Sequence, residues 1–137
     1  MTESNLTVEI TSFSFKKGLP KDSSGNGGGF IFDCRALPNP GRYKEYLDVN
    51  GTQQPVIEFF KPYEECDEFE KHAQALISQS ITKYLERGFT HLMISFGCTG
   101  GQHRSVYFAE RTAQFVKQNF PVTVVVNHRE QNIQKEL

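Results

Sequence analysis

A chain of 137 residues fits one compact domain and can bury a continuous core without metal or disulfide staples. With 37% apolar residues, 12 Phe and no Trp, that core is predicted to rest on Phe together with Ile, Leu and Val. The formal net charge of -1 excludes a global positive field that would gather nucleic acid or an anionic membrane, and no stretch approaches the roughly 18 unbroken apolar residues of a membrane span.

The start, Met1-Thr2-Glu3-Ser4-Asn5, has neither the basic flank nor the apolar run of a signal peptide. Cys34, Cys66 and Cys98 are odd in number and lack CxxC or Cys/His spacing, which argues against a disulfide framework and a structural zinc site. The expectation is a soluble protein of a reducing cytoplasm, with no cofactor and no metal.

Residues Leu6 to Phe15 alternate with the period of a half-buried strand. Gly18 to Gly29, with Pro20, Asp22, Ser23 and Gly25-Asn26-Gly27-Gly28-Gly29, resists helix and strand alike, so 18–29 reads as a flexible loop within the domain. Gly29-Phe30-Ile31-Phe32-Asp33-Cys34 reads as an inner strand that delivers Asp33 and Arg35 to a sheet edge. Leu37-Pro38-Asn39-Pro40-Gly41 then forbids regular structure.

From Asp67 to Arg87 the apolar residues fall three and four apart, the stripe of an amphipathic helix, and Gly88 stops it. His91 to Phe96 reads as a buried strand, His103 to Asn119 as a helix, and Pro121 to Val126 as a closing strand. A strand, glycine turn, helix and strand in series form a βαβ unit with parallel strands. The fold class is therefore α/β, one domain with a mixed or mostly parallel sheet and flanking helices. The polar residues 131–137 read as a frayed tail.

The chemistry concentrates in Gly97-Cys98-Thr99-Gly100-Gly101-Gln102-His103-Arg104-Ser105. Where a strand passes through glycines into a helix N-terminus, unpaired N–H groups and the helix dipole favour an anion. Arg104 adds a planar fork suited to phosphate oxygens, and Thr99 and Ser105 add hydroxyls. No Lys-Ser or Lys-Thr closes the turn, so it is not a Walker loop. The segment also resembles the C-x5-R-S/T loop of cysteine-dependent phosphatases, in which Cys98 is the nucleophile, Arg104 the phosphate clamp and Asp33 the candidate acid. Against that enzyme reading, Gly97 stands where that family has His, and no acid loop is recognisable.

A second resemblance spans most of the chain. Ser12-Phe13-Ser14-Phe15-Lys16-Lys17-Gly18-Leu19-Pro20, Phe32-Asp33-Cys34-Arg35-Ala36-Leu37-Pro38-Asn39-Pro40, the glycine turn through Val106-Tyr107, and His128-Arg129 occur in the order and rough spacing of the RapZ C-terminal domain. That resemblance implies a non-catalytic sensor that recognises glucosamine-6-phosphate. It also implies that the full-length adapter presents small RNAs to an endonuclease. Carried over by motif position, the ligand-binding residues are Asp33, Arg35, Asn39, Thr99, Gly100, Gly101, His103 and Arg104, with Ser105 beside them.

The chain departs from that pattern in several places. No Walker motif occurs, so a standalone domain without nucleotide binding by that route is expected. Gly41 and Gln102 replace a His and a Lys, and Glu130 to Leu137 replaces a basic run. Ligand recognition therefore transfers better than RNA binding, which is expected to be weak. Three readings stay open: a phosphorylated-ligand sensor, a phosphatase and an RNA-binding adapter. A phosphorylated small molecule is the expected partner and a membrane is not. A second copy of the chain, or a separate adapter or nucleotide-binding protein, remains open as a protein partner. His72 and His91 carry no motif and read as surface or core-edge residues.

Overall fold

Residues 4–137 are described in a computed structural model of the chain. The first alternating segment forms β1 (Thr7–Ser14) at the centre of a five-stranded sheet, with β2 (Gly29–Asp33), β3 (His91–Cys98), β4 (Thr123–His128) and β5 (Ile133–Glu136). The spatial order is β2-β3-β1-β4-β5. All neighbours are parallel except β4 and β5. The helices are α1 (Gln54–Phe60), α2 (Glu64–Arg87) and α3 (Arg104–Asn119). The strands β3 and β4 flanking α3 are parallel, as the βαβ reading requires, but β1 lies between them.

Alternation fixes which face of the sheet carries the core. Leu6, Val8 and Ile10 join Leu92, Ile94 and Phe96 of β3 and Val124 and Val126 of β4 in one cluster. Ala73, Ile77 and Ile81 of α2 and Phe108, Ala109, Ala113 and Val116 of α3 close over it. Each fully buried Ile, Leu or Phe contributes about 1.5–3 kcal/mol by leaving water. The helix read from Asp67 begins earlier, because Glu64, Glu65 and Asp67 place negative charge on the positive end of the dipole. It ends at Gly88, whose φ of +69° makes the left-handed cap and whose N–H returns to the Tyr84 and Leu85 carbonyls.

Three sequence expectations are corrected. β2 is an edge strand, not an inner one: Phe30 and Phe32 pack on the core while Gly29, Ile31 and Asp33 face solvent, the alternation of a strand with one partner. The closing strand starts two residues later than read, since Pro121 has no N–H to give a ladder. Residues 131–137 contain β5, which pairs antiparallel with β4 although all its residues are exposed.

The sheet's other face carries Glu9, Thr11, Phe13, Met93 and Ser95. The 18–29 segment folds back across it, placing Asp22 and Gly27 to Gly29 beside Met93 and Ser95 around a common hollow. Asp22 braces this segment, accepting hydrogen bonds from the Ser24 and Gly28 amides at 2.8 Å each. Near the other end of β1, a buried chain joins four elements. Ser12 Oγ donates to His128 Nδ1 (2.7 Å), His128 Nε2 donates to Glu110 (3.1 Å), and Lys135 donates to the same carboxylate (2.6 Å). Burial works to raise the Glu110 pKa, but these donors hold it below the ordinary glutamate value. Ser12 and His128 are both 0% exposed, so this Ser-His-Glu series braces β1, β4, α3 and β5. No helix among the described residues is long and apolar enough to cross a membrane.

Candidate functional site

The turn after β3 is held from both sides before any ligand is considered. Gly101 has φ +69°, and a Cβ there would stand 2.8 Å from the Ser14 amide nitrogen and 2.7 Å from Glu130 Cγ. Only glycine combines that dihedral with that approach. The Gly101 N–H donates to Cys98 Sγ (3.2 Å), and the Cys98 thiol donates to Ser105 Oγ (3.2 Å). Ser14 Oγ donates to the Thr99 carbonyl (2.6 Å), Gln131 Nε2 to the Gly101 carbonyl (2.8 Å), and the Ser14 amide to Glu130 (2.7 Å).

Arg104 opens α3 and is only 4% exposed. Its guanidinium makes both of its hydrogen bonds through Nη1, to the carbonyls of Arg35 (2.8 Å) and Leu37 (3.2 Å). Nε is buried without a partner. A buried guanidinium nitrogen left unpaired is costly, and the Nε–Nη2 edge has the shape that accepts two oxygens of one phosphate.

Arg104 lines a cleft of about 430 Å³. One wall is the irregular segment after β2, with Arg35, Leu37, Asn39, Arg42 and Tyr43. The other is the α1–α2 corner, with Phe59, Tyr63 and Glu65, and Thr99 and Arg104 close it toward the sheet. Three arginines, three aromatic residues and one glutamate thus line one cavity. Arg35 is oriented twice: Asp33 accepts from its Nε and Nη2 (2.9 and 2.8 Å), and its guanidinium carbon lies 3.8 Å from the Phe15 ring centre. The hydrogen bond from the Arg35 side chain, foremost, holds the Asp33 carboxyl below the usual aspartate range.

Of the residues singled out from sequence, Arg35, Asn39, Thr99 and Arg104 come together on this cleft. Asn39 Oδ1 also accepts the Gly41 amide (2.9 Å), which fixes the proline turn. Asp33 stands behind Arg35 rather than on the cleft. Gly100 borders a second hollow with Lys17, Asn50, Gln102 and Glu130. His103 is buried and donates through Nε2 to the Tyr46 carbonyl (2.7 Å), and Ser105 is buried against Cys98. Cys98 is 2% exposed and does not line the cleft. Gln102, one of the departures noted from sequence, donates to the Leu47 and Val49 carbonyls at 2.8 Å each and fastens that segment over the helix start.

Arg42, Tyr43 and Glu65 went unread from sequence. Phe59 and Tyr63 combine core packing with a place on the cleft. The one sequence signal for Arg42 was a cation two residues past the Asn39-Pro40 turn that shapes the wall.

The profile described as the RapZ C-terminal domain matches residues 6–132. A relative described as a nucleotide-binding protein, from Pseudothermotoga lettingae, is 38% identical over 130 residues, covering 95% of this chain and 44% of its own length. The chain thus spans less than half of that curated relative.

Proposed function

The chain belongs to the RapZ C-terminal domain family, and from that premise we propose that it binds a phosphorylated small molecule, an amino-sugar phosphate such as glucosamine-6-phosphate, without chemical turnover. The observation that carries this reading is Arg104: a nearly buried residue lining a cleft, its guanidinium fixed through one nitrogen and its Nε unpartnered. Such a fork is positioned before the ligand arrives, so little side-chain entropy is lost on binding. Arg35 and Arg42 add charge for the phosphate dianion. Tyr43, Phe59 and Tyr63 offer apolar ring faces to a sugar, and Glu65 offers a counter-charge to an ammonium group.

Binding is favoured over hydrolysis because the only thiol near Arg104 on the turn is buried in hydrogen bonds and lies outside the cleft. A small ligand is favoured over RNA because three arginines lining one cavity, on a chain of net charge -1, match one compact anion better than a long backbone.

Thermal-shift titrations test the proposal. Glucosamine-6-phosphate is expected to raise the melting temperature more than inorganic phosphate or unphosphorylated glucosamine. A ligand at 100 times its Kd adds about 2.7 kcal/mol to stability. No shift with any sugar phosphate at millimolar concentration would overturn the reading.

A further inference from the structure

On the sheet face away from the helices, at the end remote from the cleft, three metal-ligating side chains converge from three separate segments. They are Glu9 of β1, Asp22 of the folded-back loop and His91 at the start of β3, with one donor atom from each within 4.8 Å of the others. The parallel register of β1 and β3 puts Glu9 and His91 on the same face, and the loop brings Asp22 down onto them. The three side chains are 18%, 3% and 16% exposed respectively.

Two observations separate this cluster from an ordinary ion pair. First, His91 Nε2 is enclosed and makes no hydrogen bond, although Glu9 Oε1 lies 3.2 Å away and Asp22 Oδ1 3.6 Å away. Neither oxygen sits where an Nε2–H could use it well. Second, no Lys or Arg among the described residues forms an ion pair with Glu9 or Asp22, so two largely buried carboxylates share only a histidine. Shielded negative charge of that kind is costly unless a cation neutralises it.

We propose that Glu9, Asp22 and His91 form a site for a divalent transition-metal cation of the zinc type. The two separations from His91 Nε2 fit it. Nitrogen and oxygen ligands at about 2.0–2.2 Å in tetrahedral array stand about 3.3–3.5 Å apart, and 3.2 and 3.6 Å straddle that spacing. One imidazole with two carboxylates selects a zinc-like ion over magnesium or calcium, which prefer oxygen alone. Water completes the coordination.

The Asp22 carboxylate is oriented for this role by the Ser24 hydroxyl and amide on Oδ1 and the Gly28 amide on Oδ2. Burial pushes its pKa up, but these hydrogen bonds outweigh that and keep it below the ordinary aspartate value, ready to ligate at neutral pH. The ion would tie the glycine-rich segment to the sheet. Spacing along the sequence concealed such a site, because none of the ligands is near another in the chain.

Calorimetric titration of the chelator-stripped protein with zinc chloride tests the site. One zinc per chain is expected, with Asp22→Asn and Glu9→Gln each weakening it at least tenfold while amide spectra show an intact fold. Magnesium is expected not to compete. In ring nitrogen spectra of the wild type, the His91 Nε2 resonance is expected to move on zinc addition. Absence of saturable uptake, uptake undiminished in both folded variants, or a His91 Nε2 resonance unmoved by excess zinc would each overturn the proposal.

Discussion

Nη1 of Arg104 donates to the backbone carbonyl of Arg35 at 2.8 Å, so the first residue of α3 holds the chain just beyond β2. The same guanidinium ties down the cleft wall and belongs to a residue that lines the cavity. Side chain and wall cannot move independently.

The first prediction follows from that double role. Arg104→Lys keeps the charge but loses the planar fork, and is expected to weaken glucosamine-6-phosphate binding by about 1.5–3 kcal/mol, roughly 10- to 150-fold in Kd. Arg42 is exposed and fixed by no such bond, so Arg42→Ala should cost less, under about 1 kcal/mol. Calorimetric Kd values for the two variants check the order, and an Arg42 effect equal to that of Arg104 would contradict it.

Two neighbouring glycines give a second prediction. Gly101→Ala sets a Cβ against the Ser14 backbone at a positive φ, and is expected to lower stability by about 1–3 kcal/mol. A Cβ on Gly100 meets nothing within 4 Å and φ there is not positive, so Gly100→Ala should stay within about 0.5 kcal/mol. Urea unfolding of both variants measures the contrast.

The reach of the sequence is uneven for a physical reason. The β3–turn–α3 unit was readable because strand period, glycines and Arg104 are contiguous, and each local preference agrees with the fold. β2 was misplaced because Phe30-Ile31-Phe32 is too short to distinguish an edge strand from an inner one. The rest of the cleft lining was hidden, since Tyr43, Tyr63 and Glu65 share a cleft with Arg104 only through tertiary packing. Asp33 and Arg35 suit a ligand as well as they suit each other; the structure pairs them and keeps Arg35 among the residues of the cleft.

A third prediction concerns acid. Burial raises the Glu130 pKa, but the Ser14 amide and Arg129 more than offset this and leave it below the ordinary glutamate value in the folded chain. A depressed folded pKa means stability that is present above the unfolded value, near 4.3, and lost as pH falls through the folded one. Glu130→Gln is therefore expected to be about 1.5–3 kcal/mol less stable than the wild type at pH 7, the range for a hydrogen bond to a charged group. The gap should close as both are taken below pH 4. Denaturant melts across pH 3 to 7 would refute this if the gap is constant.

The last prediction separates binding from catalysis at Cys98. Its sulfur accepts the Gly101 amide and its proton goes to Ser105, both at 3.2 Å, and it is 2% exposed. In a phosphatase that sulfur would have to be ionised and open to the phosphorus atom, with an acid opposite to protonate the leaving group. Here Asp33, the candidate acid, has both oxygens engaged by Arg35. Cys98→Ser keeps a small hydrogen-bonding atom in the same place, so glucosamine-6-phosphate affinity is expected to stay within about tenfold, or about 1.4 kcal/mol. Aryl-phosphate hydrolysis should be absent from wild type and variant alike. Hydrolysis that follows the protein through purification, disappears in Cys98→Ser and yields a trapped phosphocysteine would instead establish an enzyme. Alkylation of Cys98 alone does not decide between the two, because a thiol at a helix N-terminus can react without turning over a phosphate ester.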